Sequence, residues 1–113
     1  WFHDIKVTPA IRERDYGDWS GKNKDQLREE LGDDSFFAIR RGWSANPSNG
    51  ESLKDTAGRV AGFLKELEES TLPHIIVCHG NTIRAASVVL GYNTANNISN
   101  WQINIGDIIE WDY

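Results

Sequence analysis

His79 and Gly80 stand where an apolar run of the sequence gives way to a helical pattern. Residues 75–78 (IIVC) are apolar and short, as in a central strand that is covered on both faces. Gly80 permits a tight turn, and Asn81 and Thr82 are natural N-cap residues. A helix that begins beyond the carboxyl end of a strand offers free amides and a positive dipole end, so we expect His79 to face a bound anion. The alternative is a histidine in an ordinary strand-to-helix turn.

A second stretch of candidate residues, 11–21 (IRERDYGDWSG), combines charged and aromatic side chains without a helical or strand period. Solvated loops rarely carry tryptophan. Tyr16 and Trp19 could anchor the wall of a binding site in which Glu13 and Arg14 face the ligand. A surface turn pinned by Trp19 explains the same residues, and the pattern alone favours neither interpretation.

Arg40 and Arg41 are a third candidate, because two guanidinium groups can bind phosphate or carboxylate. Adjacent side chains on a helix point about 100° apart. Both can therefore address one ligand only near a helix end or from the lip of a cleft. The alternative is two solvated charges on an outer helix face.

The elements that must position these residues follow from the periodicity of the sequence. Helical spacing of apolar residues recurs in residues 23–31, 33–43, 52–70 and 83–90. Strand patterns occur in residues 4–8, 75–78, 101–105 and 108–111. Asn23 caps the first helix, Gly32 closes it, and Ser52 with Asp55 forms a capping-box start. The order of elements predicts an α/β sheet covered by helices.

Composition limits the kinds of function that the chain can have. Its 113 residues are one domain at most, and 39% apolar and 26% charged residues are ordinary for a globular protein. A net charge of -5 argues against a general nucleic-acid surface. No segment approaches the length of a membrane span, and the N-terminus shows no signal peptide. The single Cys78 excludes a disulfide within these residues, which fits a cytoplasmic location.

Several of these pieces together resemble one enzyme family. Residues 78–84 (CHGNTIR) are similar to the second histidine motif of the histidine phosphatase superfamily, and residues 13–17 (ERDYG) resemble a block of its cofactor-dependent phosphoglycerate mutase branch. Three further matches agree in order and spacing: Lys24, the pair Arg40 and Arg41, and residues 50–53 (GESL). The resemblance implies a three-layer α/β/α phosphoglycerate mutase-like fold, with a mostly parallel sheet flanked by helices.

The resemblance also implies a role for each candidate residue. His79 would stabilise the phosphoryl group in flight, and Glu13 would be the general acid/base. The residues implied to bind phosphate or carboxylate are Arg14, Tyr16, Lys24, Arg40, Arg41, Gly80 and Asn81. Such fixed donors stabilise the charge that spreads over the phosphoryl oxygens in the transition state. The family implies 2,3-bisphosphoglycerate as the phosphoryl primer and no metal.

One family motif does not occur in the sequence. The Arg-His-Gly that ends the family's first strand, and whose histidine is the nucleophile, has no match. His74 would lie about 17 Å from His79 along a strand, and His3 lacks a following glycine. We therefore expect residues 1–113 to be the C-terminal portion of a single domain. Without the first strand, we expect residues 75–78 to expose unpaired amides and apolar side chains.

Three functions remain compatible with these residues. Lys24, Arg40 and Arg41 favour a glycolytic mutase that interconverts 2- and 3-phosphoglycerate through a phosphohistidine, because a substrate with both phosphate and carboxylate needs more cations. The short loop of residues 44–50 leaves a phosphomonoester phosphatase of the same family open. A phosphate-binding module without catalysis is the third, and we expect the 113 residues alone to be inactive. The expected partners are a small phosphorylated substrate and a second copy or a complementing N-terminal segment, with neither nucleic acid nor membrane.

Overall fold

Helices form the framework of the computed structural model, which describes residues 4–112. The α-helices in this range are α1 (Lys24–Leu31), α2 (Asp33–Arg41), α3 (Leu53–Leu67) and α4 (Gly80–Val89). Short 3₁₀ turns lie at Pro9–Ile11, Gly17–Trp19 and Ile98–Asn100. All four predicted helices are present, with ends that differ from the predicted bounds by up to three residues.

Side-chain caps explain why α1 and α3 begin where they do. The Asn23 side chain accepts hydrogen bonds from the amides of Asp25 and Gln26, at 2.8 and 3.3 Å. Ser52 and Asp55 form the predicted capping box, with both bonds at 3.0 Å. Each bond satisfies an amide that has no partner inside its helix. These two helix starts are confirmed.

The start of α4 differs from the prediction. His79 is the N-cap residue and provides no side-chain cap, while Asn81 and Thr82 lie inside the first helical turn. The prediction that Asn81 and Thr82 cap this helix is therefore wrong, because the helix already begins at Gly80. The Thr82 hydroxyl instead contacts the carbonyls of Ile11 and Arg12, at 3.3 and 3.0 Å. It thereby ties α4 to the loop that leads to Glu13.

The core lies between α3 and α4, as the long amphipathic pattern of α3 predicts. One buried cluster joins Leu53, Ala57, Ala85 and Ile98, and a second joins Val60, Leu64 and Ala86. The alanines of α4 let the two helices approach closely, and burial of the apolar side chains supplies the driving force. This packing fixes the middle of α4, and with it the position of the N-terminal residues of this helix.

The predicted strands do not form within residues 4–112, where no strand is present. Ile75 is 78% exposed and Val77 is 89% exposed, so the prediction of a strand covered on both faces is wrong. A strand exists through backbone hydrogen bonds to a neighbouring strand, and residues 75–78 have no such neighbour among the described residues. The expected exposure of apolar side chains in this segment is confirmed. His3 lies outside the described residues.

No helix within residues 4–112 is both long and apolar enough to cross a bilayer.

Candidate active site

A cleft of about 160 Å³ lies where the end of α2 meets the start of α4. Its walls are formed by Glu13, Tyr16, Arg40, Arg41, Gly80, Asn81, Arg84 and Ile103. Three arginines and one glutamate line this small volume, so the cleft favours an anion. Six of the nine site residues that the sequence indicated line the cleft.

The start of α4 contributes main-chain donors to this cleft. Gly80 and Asn81 are the first two residues of the helix, where amides have no partner inside the helix and the dipole favours negative charge. A side chain on Gly80 would meet no atom within 4 Å, so the backbone is open at this point. The Asn81 amide group donates to the Tyr16 hydroxyl at 2.8 Å. The helix start and the loop that carries Tyr16 therefore form one wall.

Arg40 and Arg41 line the cleft from the last turn of α2, which is the placement that adjacent arginines need to reach one ligand. The main-chain carbonyls of Arg40 and Arg41 accept hydrogen bonds from two buried arginines. Arg84 Nη2 donates to the Arg41 carbonyl at 2.9 Å, and Arg14 contacts the Arg40 carbonyl at 3.5 Å. Carbonyls in the last helical turn lack intrahelical partners, so these guanidinium groups fasten the end of α2.

Arg14 is only 2% exposed and uses its guanidinium to connect three segments of main chain. It donates to the carbonyls of Glu51 at 2.7 Å, Ile39 at 2.8 Å and Ala45 at 3.3 Å. Burial lowers the pKa of Arg14, although a guanidinium stays charged in proteins. Arg14 is not among the residues that line the cleft. Its side chain therefore holds together the main-chain segments around the cleft without lining the cleft.

Arg84 was not among the site residues indicated by the sequence, and the structure places it in the cleft wall. It is 4% exposed, and burial lowers its pKa. Its Nη1 donates to Asn81 Oδ1 at 3.0 Å, and its Nη2 also contacts the Ile98 carbonyl at 2.9 Å. Arg84 follows Asn81 by three residues on α4, and that helical spacing was the available signal.

The two residues expected to act in catalysis lie in neighbouring clefts. Glu13 lines the first cleft, where its Oε1 accepts a hydrogen bond from the Arg14 amide at 2.8 Å. His79 is exposed and lines a second cleft of about 340 Å³. Gly80 and Ile103 belong to both clefts, which are therefore adjacent.

Cys78 and Lys24 are not among the residues that line the first cleft. Burial raises the pKa of the Cys78 thiol, and the negative charge of Glu13 raises it further, so the thiol stays protonated and is a poor nucleophile. Lys24 is exposed at the first residue of α1 and is not among the residues that line either cleft. Within residues 4–112, no group of three or more acidic, histidine or cysteine side chains is arranged to hold a metal.

Two glycines hold the Tyr16 loop against the loop before α3. Gly17 has a φ of +54°, and a Cβ built on it would lie 2.5 Å from the Gly50 nitrogen. A Cβ on Gly50 would lie 2.7 Å from the Asp15 carbonyl oxygen. No L side chain fits such distances without displacing main chain. The two loops therefore touch backbone to backbone beside the cleft.

Comparisons with known proteins give the family of this chain. The family model described as "Histidine phosphatase superfamily (branch 1)" matches residues 3–113. A 2,3-bisphosphoglycerate-dependent phosphoglycerate mutase of Methylobacterium radiotolerans is 42% identical over 104 residues, covering 86% of this chain and 48% of that protein. The protein of the same name from Bartonella henselae is 42% identical over 105 residues, covering 85% and 49%. The chain thus spans about half the length of the curated relatives that it matches.

Solved structures show the same relationship. A mycobacterial glucosyl-3-phosphoglycerate phosphatase in complex with inorganic phosphate superposes with a TM-score of 0.75 at 27% identity, covering 86% of this chain and 51% of that one. The same phosphatase in complex with VO3 superposes with a TM-score of 0.76. These likenesses support a phosphoglycerate mutase-like fold. Because the family model covers nearly the whole sequence, the chain belongs to branch 1 of the histidine phosphatase superfamily.

Proposed function

We propose that the protein is a 2,3-bisphosphoglycerate-dependent phosphoglycerate mutase, which interconverts 2- and 3-phosphoglycerate in cytoplasmic glycolysis. The observation that carries the proposal is the first cleft, which is lined by Arg40, Arg41, Arg84 and Glu13 at the start of α4. A substrate with a phosphate and a carboxylate needs several cations, and its transfer chemistry needs a proton donor and acceptor. The names of the curated relatives support the same activity.

In this mechanism, the phosphoryl group passes between the substrate oxygen and a nucleophilic histidine supplied by the family's first motif. Glu13 gives a proton to the leaving oxygen and takes one from the attacking hydroxyl in the reverse step. His79 and the free amides of α4 stabilise the charge on the equatorial oxygens. Arg40, Arg41 and Tyr16 hold the rest of the substrate, so that its reacting oxygen stays in line.

The cleft residues also fit the phosphoryl primer that the relatives' names specify. A bisphosphorylated three-carbon acid carries several negative charges, and the donors facing it would be the guanidinium groups of Arg40 and Arg41 with the Asn81 amide group. When bound, 2,3-bisphosphoglycerate supplies the phosphoryl group that loads the nucleophilic histidine. In this proposal Lys24 reaches the substrate from the start of α1, and Arg14 acts indirectly by fixing the loop around Glu13.

A phosphomonoester phosphatase is the second candidate, because solved structures that superpose on the chain are phosphatases. Their 27% identity is lower than the 42% identity of the mutase relatives, and this difference favours the mutase. The test uses the protein that the complete reading frame encodes, incubated with 3-phosphoglycerate and 2,3-bisphosphoglycerate. Formation of 2-phosphoglycerate supports the proposal. Release of inorganic phosphate without isomerisation would favour the phosphatase, and binding of phosphate without either reaction would favour the non-catalytic module.

A further inference from the structure

Arg59, in the second turn of α3, uses its guanidinium group to connect Glu51 with the loop that carries Glu13. Its Nε and Nη2 form a fork with the two carboxylate oxygens of Glu51, at 2.9 and 3.0 Å. The remaining contacts go to the carbonyls of Ala10 and Arg12, both at 2.9 Å, and of Glu13, at 3.1 Å. A planar fork of this kind has a fixed geometry that a lysine cannot reproduce.

Glu51 contacts the same loop two residues after Glu13, at Asp15. Its Oε1 accepts a hydrogen bond from the Asp15 amide at 2.8 Å, and its own amide donates to the Asp15 carbonyl at 2.7 Å. The side chains of Glu51 and Arg59 are only 17% and 16% exposed, which protects the pair from solvent screening. The main chain is thus fixed just before Glu13, at Glu13 itself and two residues after it.

Neither Glu51 nor Arg59 is among the residues that line the two clefts. Their contacts reach the Glu13 loop through main-chain atoms, so they act on the position of the loop and not on a ligand. The core clusters hold α3 firmly, because Val60, next to Arg59, is 1% exposed. Arg59 and Glu51 therefore tie the segment that carries Glu13, the proposed acid/base, to a helix that is fixed by the core.

We propose that the Arg59–Glu51 pair is a positioning device that sets the distance between the Glu13 carboxyl group and the leaving oxygen of the substrate. This inference rests on the proposed function, in which Glu13 gives that oxygen its proton. A displacement of about 1 Å at a reacting group costs on the order of 10²-fold in rate. Arg59→Lys keeps the positive charge and loses the fork, so it displaces the loop without removing the charge.

The choice of substrate separates lost positioning from lost folding. The leaving oxygen of 3-phosphoglycerate is an alkoxide and needs a proton, whereas the oxygen of p-nitrophenyl phosphate leaves readily as a phenolate. A smaller folded fraction lowers both rates by the same factor. A displaced Glu13 lowers the first rate much more than the second, so the ratio of the two rates reports positioning alone.

The experiment uses the protein that the complete reading frame encodes and expresses both rates per mole of protein. It compares kcat for 3-phosphoglycerate with the initial rate of the first turnover of p-nitrophenyl phosphate, in which the phosphoryl group passes to the nucleophilic histidine and p-nitrophenolate leaves. We expect Arg59→Lys to lower kcat for 3-phosphoglycerate about 10- to 100-fold and the first-turnover rate with p-nitrophenyl phosphate less than about 3-fold. Arg28→Lys is the matched control, because Arg28 forms a 2.7 Å pair with Asp33 on the surface, where the two side chains are 49% and 65% exposed. Its rate ratio should stay at the wild-type value.

Glu13→Gln separates failure of this inference from failure of the proposed function. If Glu13→Gln selectively lowers the rate with 3-phosphoglycerate but Arg59→Lys leaves the ratio unchanged, the positioning role is overturned and the function stands. If Glu13→Gln leaves the ratio unchanged, the acid/base role of Glu13 fails, and the positioning role fails with it. Hydrogen exchange of the Asp15 amide gives a readout without turnover: it should accelerate in Glu51→Ala, which removes the acceptor of this amide, and stay unchanged in Arg28→Lys.

Discussion

Replacing Arg14 by methionine should destabilise the fold strongly, because this side chain holds three segments together. Its two short hydrogen bonds, to the carbonyls of Glu51 at 2.7 Å and Ile39 at 2.8 Å, are charge-assisted. Bonds of this kind contribute about 1.5–3 kcal/mol each, so their loss amounts to about 3–6 kcal/mol. Methionine keeps much of the apolar stem, so little of the loss comes from an empty cavity.

The assay is urea unfolding, followed by tryptophan fluorescence, for Arg14→Met, Arg14→Lys and Arg40→Met. Arg40 is the matched control, because it is an arginine of the same site that is half-buried and lines the cleft. We expect Arg40→Met to change the free energy of unfolding by less than about 1 kcal/mol. Arg14→Lys should fall between the two, since a lysine keeps the charge but cannot reach several carbonyls at once.

The family resemblance alone gives Arg14 a different role, as a direct ligand of phosphate. A direct ligand would lose phosphate affinity on substitution while the unfolding midpoint stayed near its original value. A loss of stability below about 1 kcal/mol in Arg14→Met, together with weaker phosphate binding, would therefore refute the structural role.

Three further predictions concern charge, catalysis and exposed surface. The hydrogen bond from Arg59 lowers the pKa of Glu51. The ionised Glu51 therefore stabilises the fold fully above its ordinary pKa, and this contribution is lost as pH falls through the lowered value. In urea unfolding at several acidic pH values, the free energy of unfolding should fall less steeply with pH in Glu51→Gln than in the wild type. His79→Ala should lower turnover about 10²-fold or more without moving the unfolding midpoint, and near-normal turnover would contradict its role. Exposed Ile75 and Val77 should be covered by a complementing N-terminal segment of the family, so adding that segment should raise the melting temperature of residues 1–113, and an unchanged melting temperature would count against it.

The helices could be predicted because the signals that start them are local. Asn23 and Ser52 lie within three residues of the amides that they cap, so the sequence contains both partners of each bond side by side. The predicted sheet, of which residues 4–112 show no strand, depends on partners that are not local. The backbone partners of residues 75–78 would have to come from a strand that is distant in sequence. An apolar run indicates that a strand could bury its side chains, but it does not show that a neighbouring strand is present.

Six of the nine residues that the sequence indicated line the first cleft, but the sequence could not show what each side chain contacts. Motif spacing identified Arg14, Arg40 and Arg41 alike, because all three are arginines that suit an anion. Only the structure separates Arg14, which is buried among carbonyls, from the pair at the end of α2 that faces the cleft. Arg84 and Arg59 escaped notice for the related reason that their partners are main-chain carbonyls, which every residue has and no motif marks.

The backbone contact between Gly17 and Gly50 has a consequence for how substitutions there would behave in a genetic screen. A side chain at either position would push against main chain, and main chain cannot be made smaller by a second substitution. Loss of function at Gly17 should therefore have no suppressor at Gly50, although the two residues are direct neighbours. Revertants at these positions should restore glycine itself. A defect at Arg59 or Glu51 differs, because this pair is formed by side chains and a second side-chain substitution can compensate for the first.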